Sequence, residues 1–306
     1  MAKSGKLKKA IKNSTTAQRI TLVAVLIFVV FGCVWYRSVY MSPRNVFWGM
    51  IDNNLATESV TRHVVQEQGG QTLDQYMQLQ FGSSNSAHNL ISVKQSGDTG
   101  ENEVKSETIG TPKNDYSRYV TIKTPQKTAG GQPIDTSKLV NVWAKTDDSK
   151  AGQPSSAQYF QQSILGIVPY ANLNYQQRYE LVKLMQDKKA YDFSGEQPKS
   201  EKLNGRAVYV YAVSISPKAY IEMLQKFTKY MGLGEMGLDP SQYEGAAPLK
   251  VEMTVGKLSR QLLKIKYVDG GQEETYSAQG LEQAVGLPSK TIPISELQDR
   301  IQKSMQ

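Results

Sequence analysis

Catalysis and metal binding need particular side chains at particular spacings, and this sequence supplies few of them. It has two histidines, His63 and His88, and one cysteine, Cys33. Each His falls on a separate stretch of alternating polarity with no second His nearby, which is not a zinc-site spacing. One Cys allows neither an intrachain disulfide nor a multi-thiolate metal site. Residues 232–237, Gly-Leu-Gly-Glu-Met-Gly, match the glycine spacing of a dinucleotide fingerprint. That fingerprint needs a strand before it and a helix after it. Here the run follows a helical stretch and leads into Asp239-Pro240, so it reads as a helix end with Gly232 in the left-handed position, opening a loop. Neither a G-x-S-x-G elbow nor a G-x-x-x-x-G-K-[ST] loop occurs. The paired acids Asp147-Asp148 and Glu273-Glu274 sit in or near polar turns and read as solvated charges. The expectation is a binding protein, not an enzyme, with no cofactor and no metal.

The charge points to a membrane and away from nucleic acid. Net charge is +8 over 306 residues. Six of those charges, Lys3, Lys6, Lys8, Lys9, Lys12 and Arg19, lie in the first 19 residues with no acid among them, which leaves only two for the rest. Directly after the tail, residues 20–36 read ITLVAVLIFVVFGCVWY, uncharged and bounded by Arg19 and Arg37. As a helix this run spans about 26 Å, enough for a hydrocarbon core. Trp35, Tyr36 and Tyr40 gather at its end as an interfacial belt would. The reading is a basic cytoplasmic tail over 1–19, a single-pass transmembrane helix over 20–36, a juxtamembrane linker over 37–44 and an extracytoplasmic domain over 45–306. A cleaved signal peptide fits less well, because no small-residue cleavage site follows. Lipidation at Cys33 is the other reading. Val30-Phe31-Gly32-Cys33 has an apolar residue at −3 and Gly at −1, but Phe31 is bulky and Val34-Trp35-Tyr36 continues the apolar run.

The body is α+β. Residues 43–56 form a helix opening on Ser42-Pro43. A period of two then sets in, with strands through 73–81, 88–95, 103–110, 116–124 and 139–145, broken by Gly, Ser, Asn, Asp and Pro. The breaks at 97–100 and 126–133 read as solvated connectors. Helices follow at 155–165 and at 174–189, the latter capped by Asn174 with Tyr175, Tyr179, Val182 and Met185 as its packed stripe. Leu203-Asn204-Gly205-Arg206 is a turn into an alternating strand through Ile215. Ser216-Pro217 opens a helix through Met231. Strands follow at 249–255, 258–268 and 273–278, with a tight turn at Gly256-Lys257, and an amphipathic helix occupies 293–305.

The run Leu203-Asn204-Gly205-Arg206-x-x-Tyr209-x-Tyr211-x-Val213, followed at once by a helix and two long alternating strands, resembles the LolA-like fold, in particular its LppX/LprG-type branch of envelope lipoproteins. Tyr276-Ser277-Ala278-Gln279-Gly280, continuing through Leu287-Pro288 to Pro293, is similar to that branch's closing segment. The resemblance covers residues 200–305. It implies a curved antiparallel half-barrel with helices on its concave face and a hydrophobic space between, which members use for acyl chains, lipids or a partner protein. On that basis the candidate ligand-binding residues are Tyr209, Tyr211, Val213, Leu263, Ile265 and Tyr267, roofed by Leu224, Phe227 and Met231. Val208 and Val210, on the opposite side of the strand, are the rival choice. Met223, Met231 and Met236 suit either a cavity or a packed core. The expected partners are the membrane with a lipid ligand or, alternatively, an envelope protein, and not nucleic acid.

Cys33→Ser tests the anchor. It should leave the protein in the membrane fraction at unchanged mass, whereas a mass shift or release to the soluble fraction would mean that Cys33 is acylated.

Overall fold

The computed structural model describes residues 16–82, 85–97, 100–128, 130–146, 158–233, 237–282 and 285–305. Most of the basic tail, Asp147-Asp148, Met236 and the Cys33 side chain lie outside the described residues. The chain divides into two compact units, Met1–Phe47 and Trp48–Gln306.

In the first unit, α1 (Thr16–Trp35) runs into a π-helical turn, Tyr36–Tyr40, and then into the start of α2 (Pro43–Asn54). Tyr36 and Tyr40 stack with ring centroids 5.3 Å apart. The Asn45 amide donates to the Val39 carbonyl at 2.8 Å. Helix α1 covers the stretch expected to cross a membrane. However, the side chains of 16–23, Cys33 and Val34 lie outside the described residues, and among those described no helix is long and apolar enough to cross. The structure therefore does not support the transmembrane reading of 20–36.

The second unit is a large open sheet with helices. Its elements are β1 (Ser59–Gln68), β2 (Gln71–Gln80), β3 (Ser86–Gly97), β4 (Gly100–Gly110), β5 (Asp115–Lys123), β6 (Ala144–Lys145), α3 (Tyr159–Ile164), α4 (Tyr175–Asp187), β7 (Tyr191–Asp192), β8 (Lys199–Leu203), β9 (Arg206–Ile215), α5 (Pro217–Tyr230), β10 (Leu249–Gly256), β11 (Leu262–Tyr267), β12 (Gln272–Ser277), β13 (Ile292–Pro293) and α6 (Ile294–Met305). The spatial order is β13-β6-β5-β4-β3-β2-β1-β12-β11-β10-β9-β7, with β8 also on β9. Every pairing is antiparallel except β13 with β6. Two meanders, one from each half of the chain, are joined where β1 meets β12. The sheet does not close.

Local chemistry explains most boundaries. Asn174 and Gln177 make a reciprocal capping box at the start of α4. Pro217 fills the first turn of α5. Ser216 stands at the cap position there but makes no side-chain capping bond, and its carbonyl accepts from Tyr220 N instead. Asn204 and Gly205 both have positive φ, 49° and 79°, the requirement of a tight two-residue hairpin. Gly232 has φ 67° and ends α5 as expected. Gly110 has no room for a side chain, because an added Cβ would lie 2.5 Å from Phe160 N. Its absence lets α3 rest directly on β4.

Several expectations needed correction. The strand expected from 258 begins at Leu262, because 257–261 forms a wider loop with Arg260 at φ 51°. Leu258 is left exposed. The strand expected over 139–145 shortens to Ala144–Lys145. On α4 the buried residues are Leu181 and Met185, while Tyr175 and Tyr179 stack on each other in solvent.

The core takes in α5 and the sheet face that carries Tyr211, Val213, Met253 and Ile265, all buried. Phe227 on α5 is 0% exposed. Phe227→Ala should therefore cost the full large-to-small penalty of about 3–5 kcal/mol, read by chemical denaturation. A loss below about 1 kcal/mol would show that the ring lines a hollow space rather than a packed one.

Candidate functional site

At the join between the two meanders lies a buried ion pair. Register places Arg62 opposite Tyr276 and Val64 opposite Glu274, so Arg62, Val64, Glu274 and Tyr276 share one sheet face. Arg62 donates through Nε and Nη2 to the two Glu274 oxygens, both at 2.9 Å. Tyr267 and Gln272 also donate to Oε1 at 2.9 Å, and Tyr276 to Oε2 at 2.5 Å. The Glu274 side chain is wholly buried. Tyr170 stacks on Tyr276 at 5.4 Å. Gly166 approaches the guanidinium closely: an added Cβ would sit 3.2 Å from Arg62 Nη1. Tyr220 donates to the Gly166 carbonyl and Tyr191 to that of Ile167, holding this segment over the pair.

Burial pushes the Glu274 carboxyl up, but the Arg62 charge and the bonds from Tyr276, Arg62 and Tyr267 outweigh it and hold it below the usual range. Burial likewise raises Tyr267 and Tyr276, and the neighbouring Glu274 charge adds to that. The reading of Glu273-Glu274 as two solvated charges thus holds for one residue only. Glu273 pairs with Lys264 at 2.7 Å near the surface, while Glu274 points the other way into the protein. A signal was present in the alternation Gln272, Glu274, Tyr276 along one strand face.

Further along the same face is a cavity of about 440 Å3. Val93 pairs with Val104, and Val104 with Ile122, so three apolar side chains from β3, β4 and β5 lie side by side as its floor. Tyr119 joins them because the β4–β5 register shifts at Lys105/Ser106, which makes Val120 an extra residue and returns Tyr119 and Ile122 to one side. Ile134 and Leu139 form a wall, and Ile301 and Ser304 of α6 form the roof. Gln95, Asn102, Thr124 and Gln126 line one end. The connector 126–133, expected to be only solvated, thus contributes Gln126 to the site. A second, more polar cavity of about 550 Å3 lies at the sheet edge, between 141–143 and 287–292.

The residues singled out from the sequence lie elsewhere. Tyr211, Val213, Leu224, Phe227 and Ile265 are buried together in the core. Tyr209, Met231, Leu263 and Tyr267 are half-buried, and Tyr209 carries the Lys257 ammonium 4.0 Å from its ring. Val208 is buried on the opposite face and Val210 half-buried. None of the nine lines either cavity. The histidines each find a carboxylate: His63 with Asp74 and His88 with Glu107, both at 2.7 Å. Among the described residues no group of three or more His, Cys, Asp or Glu could hold a metal ion.

No protein-family model matches the chain, and no curated protein matches it. Among solved structures it is similar to LprF from Mycobacterium bovis. The identity is 13%, the match covers 81% of this chain and 99% of that one, and the TM-score is 0.37.

The ion pair makes its own prediction. Because the folded Glu274 value is depressed, its stabilisation is fully present above the unfolded value of about 4.3 and is lost as pH falls through the folded value. Glu274→Ala strands a buried cation and should cost about 3–5 kcal/mol. The double change Arg62→Met/Glu274→Leu should cost less than the sum of its single changes and flatten the acid limb of a denaturation series. Additive losses with an unchanged acid limb would show that the pair is not coupled.

Proposed function

We propose that this protein is a membrane-tethered module of the cell envelope that holds an apolar ligand between its open sheet and α6. The observation that carries this reading is the cavity over Val93, Val104 and Ile122. It has the size of small-molecule sites, an apolar floor, and polar side chains at one end. Helix α6 suits a cover. Leu297 anchors it in the core, Arg300 donates to the Lys138 carbonyl, and Ile301 faces the cavity. The resemblance of residues 200–305 to the LolA-like fold supports the same class of ligand. The role is binding, as carrier or sensor, and not catalysis. The tether is supported by the sequence, with its basic tail before an uncharged apolar run, and places the body outside the cytoplasm.

A second reading, an envelope interaction module without cargo, is favoured by the burial of five of the nine predicted lining residues, Tyr211, Val213, Leu224, Phe227 and Ile265, in the core. Organic extraction and mass spectrometry of residues 45–306 separate the two. The proposal expects bound apolar material that disappears in Val104→Trp, whose indole rises from the floor into the path of a chain, while the melting transition stays within a few degrees. An extract without such material from the unsubstituted protein would sink it and leave the interaction reading.

A further inference from the structure

The shape and wall chemistry of the cavity over β3–β5 narrow the ligand further; this step rests on the binding role just proposed. Its volume is about 440 Å3. That lies at the low end of the roughly 300–1,000 Å3 of ligand pockets, the scale of a single acyl chain. It does not extend toward the middle of the sheet. The next inward residues on this face, Ile91 on β3 and Ser106 on β4, are half-buried and line no part of it; after them Asn89 and Thr108 are buried, and Asn89 donates to the Tyr159 hydroxyl of α3. Beyond them stands the Arg62–Glu274 pair with its filled tyrosine shell.

The head group is constrained by charge. No lining residue is charged. The lysines of the same strands alternate onto the opposite sheet face, where Lys94, Lys105 and Lys123 surround Glu103 at 3.9, 3.3 and 2.5 Å. A carboxylate or phosphate seated at the cavity mouth would find no cation among the lining residues to meet it. What the mouth offers is amide and hydroxyl groups that both donate and accept: Gln95, Asn102, Thr124 and Gln126. We infer that the cavity takes a single-chain amphiphile with an uncharged, hydroxyl-bearing head, of the monoacylglycerol class.

The test uses the full chain in phosphatidylcholine vesicles and a monomyristoylglycerol with a photoreactive diazirine on its chain. Labelling should map to peptides containing Val104, Ile122 and Ile301. It should fall away in Val104→Trp and, as an independent block from the roof, in Ile301→Trp. Unlabelled monomyristoylglycerol should compete at least about tenfold better than myristate or dimyristoylglycerol, a difference of about 1.4 kcal/mol. If myristate competes as well, the uncharged head is wrong. If dimyristoylglycerol competes as well, the single chain is wrong. Either result overturns this inference and leaves the apolar binding role standing. If no probe labels these peptides, the binding role falls with it.

Discussion

A buried carboxylate is tolerable only when a cation and hydrogen-bond donors meet it, since desolvating an ion costs several kcal/mol. Glu274, wholly buried, imposes that condition where the two halves of the sheet join. Arg62 meets it from β1, and Tyr267, Gln272 and Tyr276 supply the remaining donors from β11 and β12. The condition spreads outward. Arg62 needs a close cover, which Gly166 permits by lacking a side chain, and Tyr220 of α5 fixes that cover by binding the Gly166 carbonyl. One carboxylate thus ties β1, β11, β12, the 166–167 segment and α5 into a unit.

That unit decides where open volume can lie. Aromatic rings and a charge pair fill the centre of the sheet face, and Tyr211, Phe227 and Ile265 pack the β9–β11 side. Open volume remains toward β3–β5, where Val93, Val104 and Ile122 are only half-buried and α6 lies above. The choice of Tyr209 to Tyr267 as lining residues followed from alternation, which identifies the inward face. Alternation does not tell a packed inward face from a hollow one. Tyr211 and Val104 occupy equivalent positions on the same face, yet Tyr211 is buried against Phe193 and Tyr209 while Val104 is half-buried.

Local signals carried the fold wherever a single interaction decides the structure. The capping box at Asn174 and Gln177, the positive-φ pair at Asn204-Gly205 and the terminator Gly232 were all legible, since each depends on neighbours within a few residues. What failed depends on distant partners. Tyr175 and Tyr179 continue the apolar period that correctly includes Met185 along α4, yet nothing in that helix says that Leu181, and not the two tyrosines, meets the rest of the protein. Glu274 resembles Glu273 until Arg62, more than two hundred residues earlier, is placed beside it. The bulge at Val120 breaks the period of two and hides the common orientation of Tyr119 and Ile122.

The two faces of β3–β5 divide the work by charge. On one, Glu103 with three lysines, and Glu107 with His88 and Arg118, bind strand to strand. With those cross-strand pairs on the outer side, the inner side needs no polar contacts to keep register, so Val93, Val104 and Ile122 can remain unburied by protein without loosening the strands. A cavity between sheet and helix would ordinarily weaken the element that spans it. Here the hydrogen-bonded ladder and the outer charge pairs hold the floor, while Leu297, the Arg300 contact with the Lys138 carbonyl and the pairing of β13 with β6 hold the roof, α6.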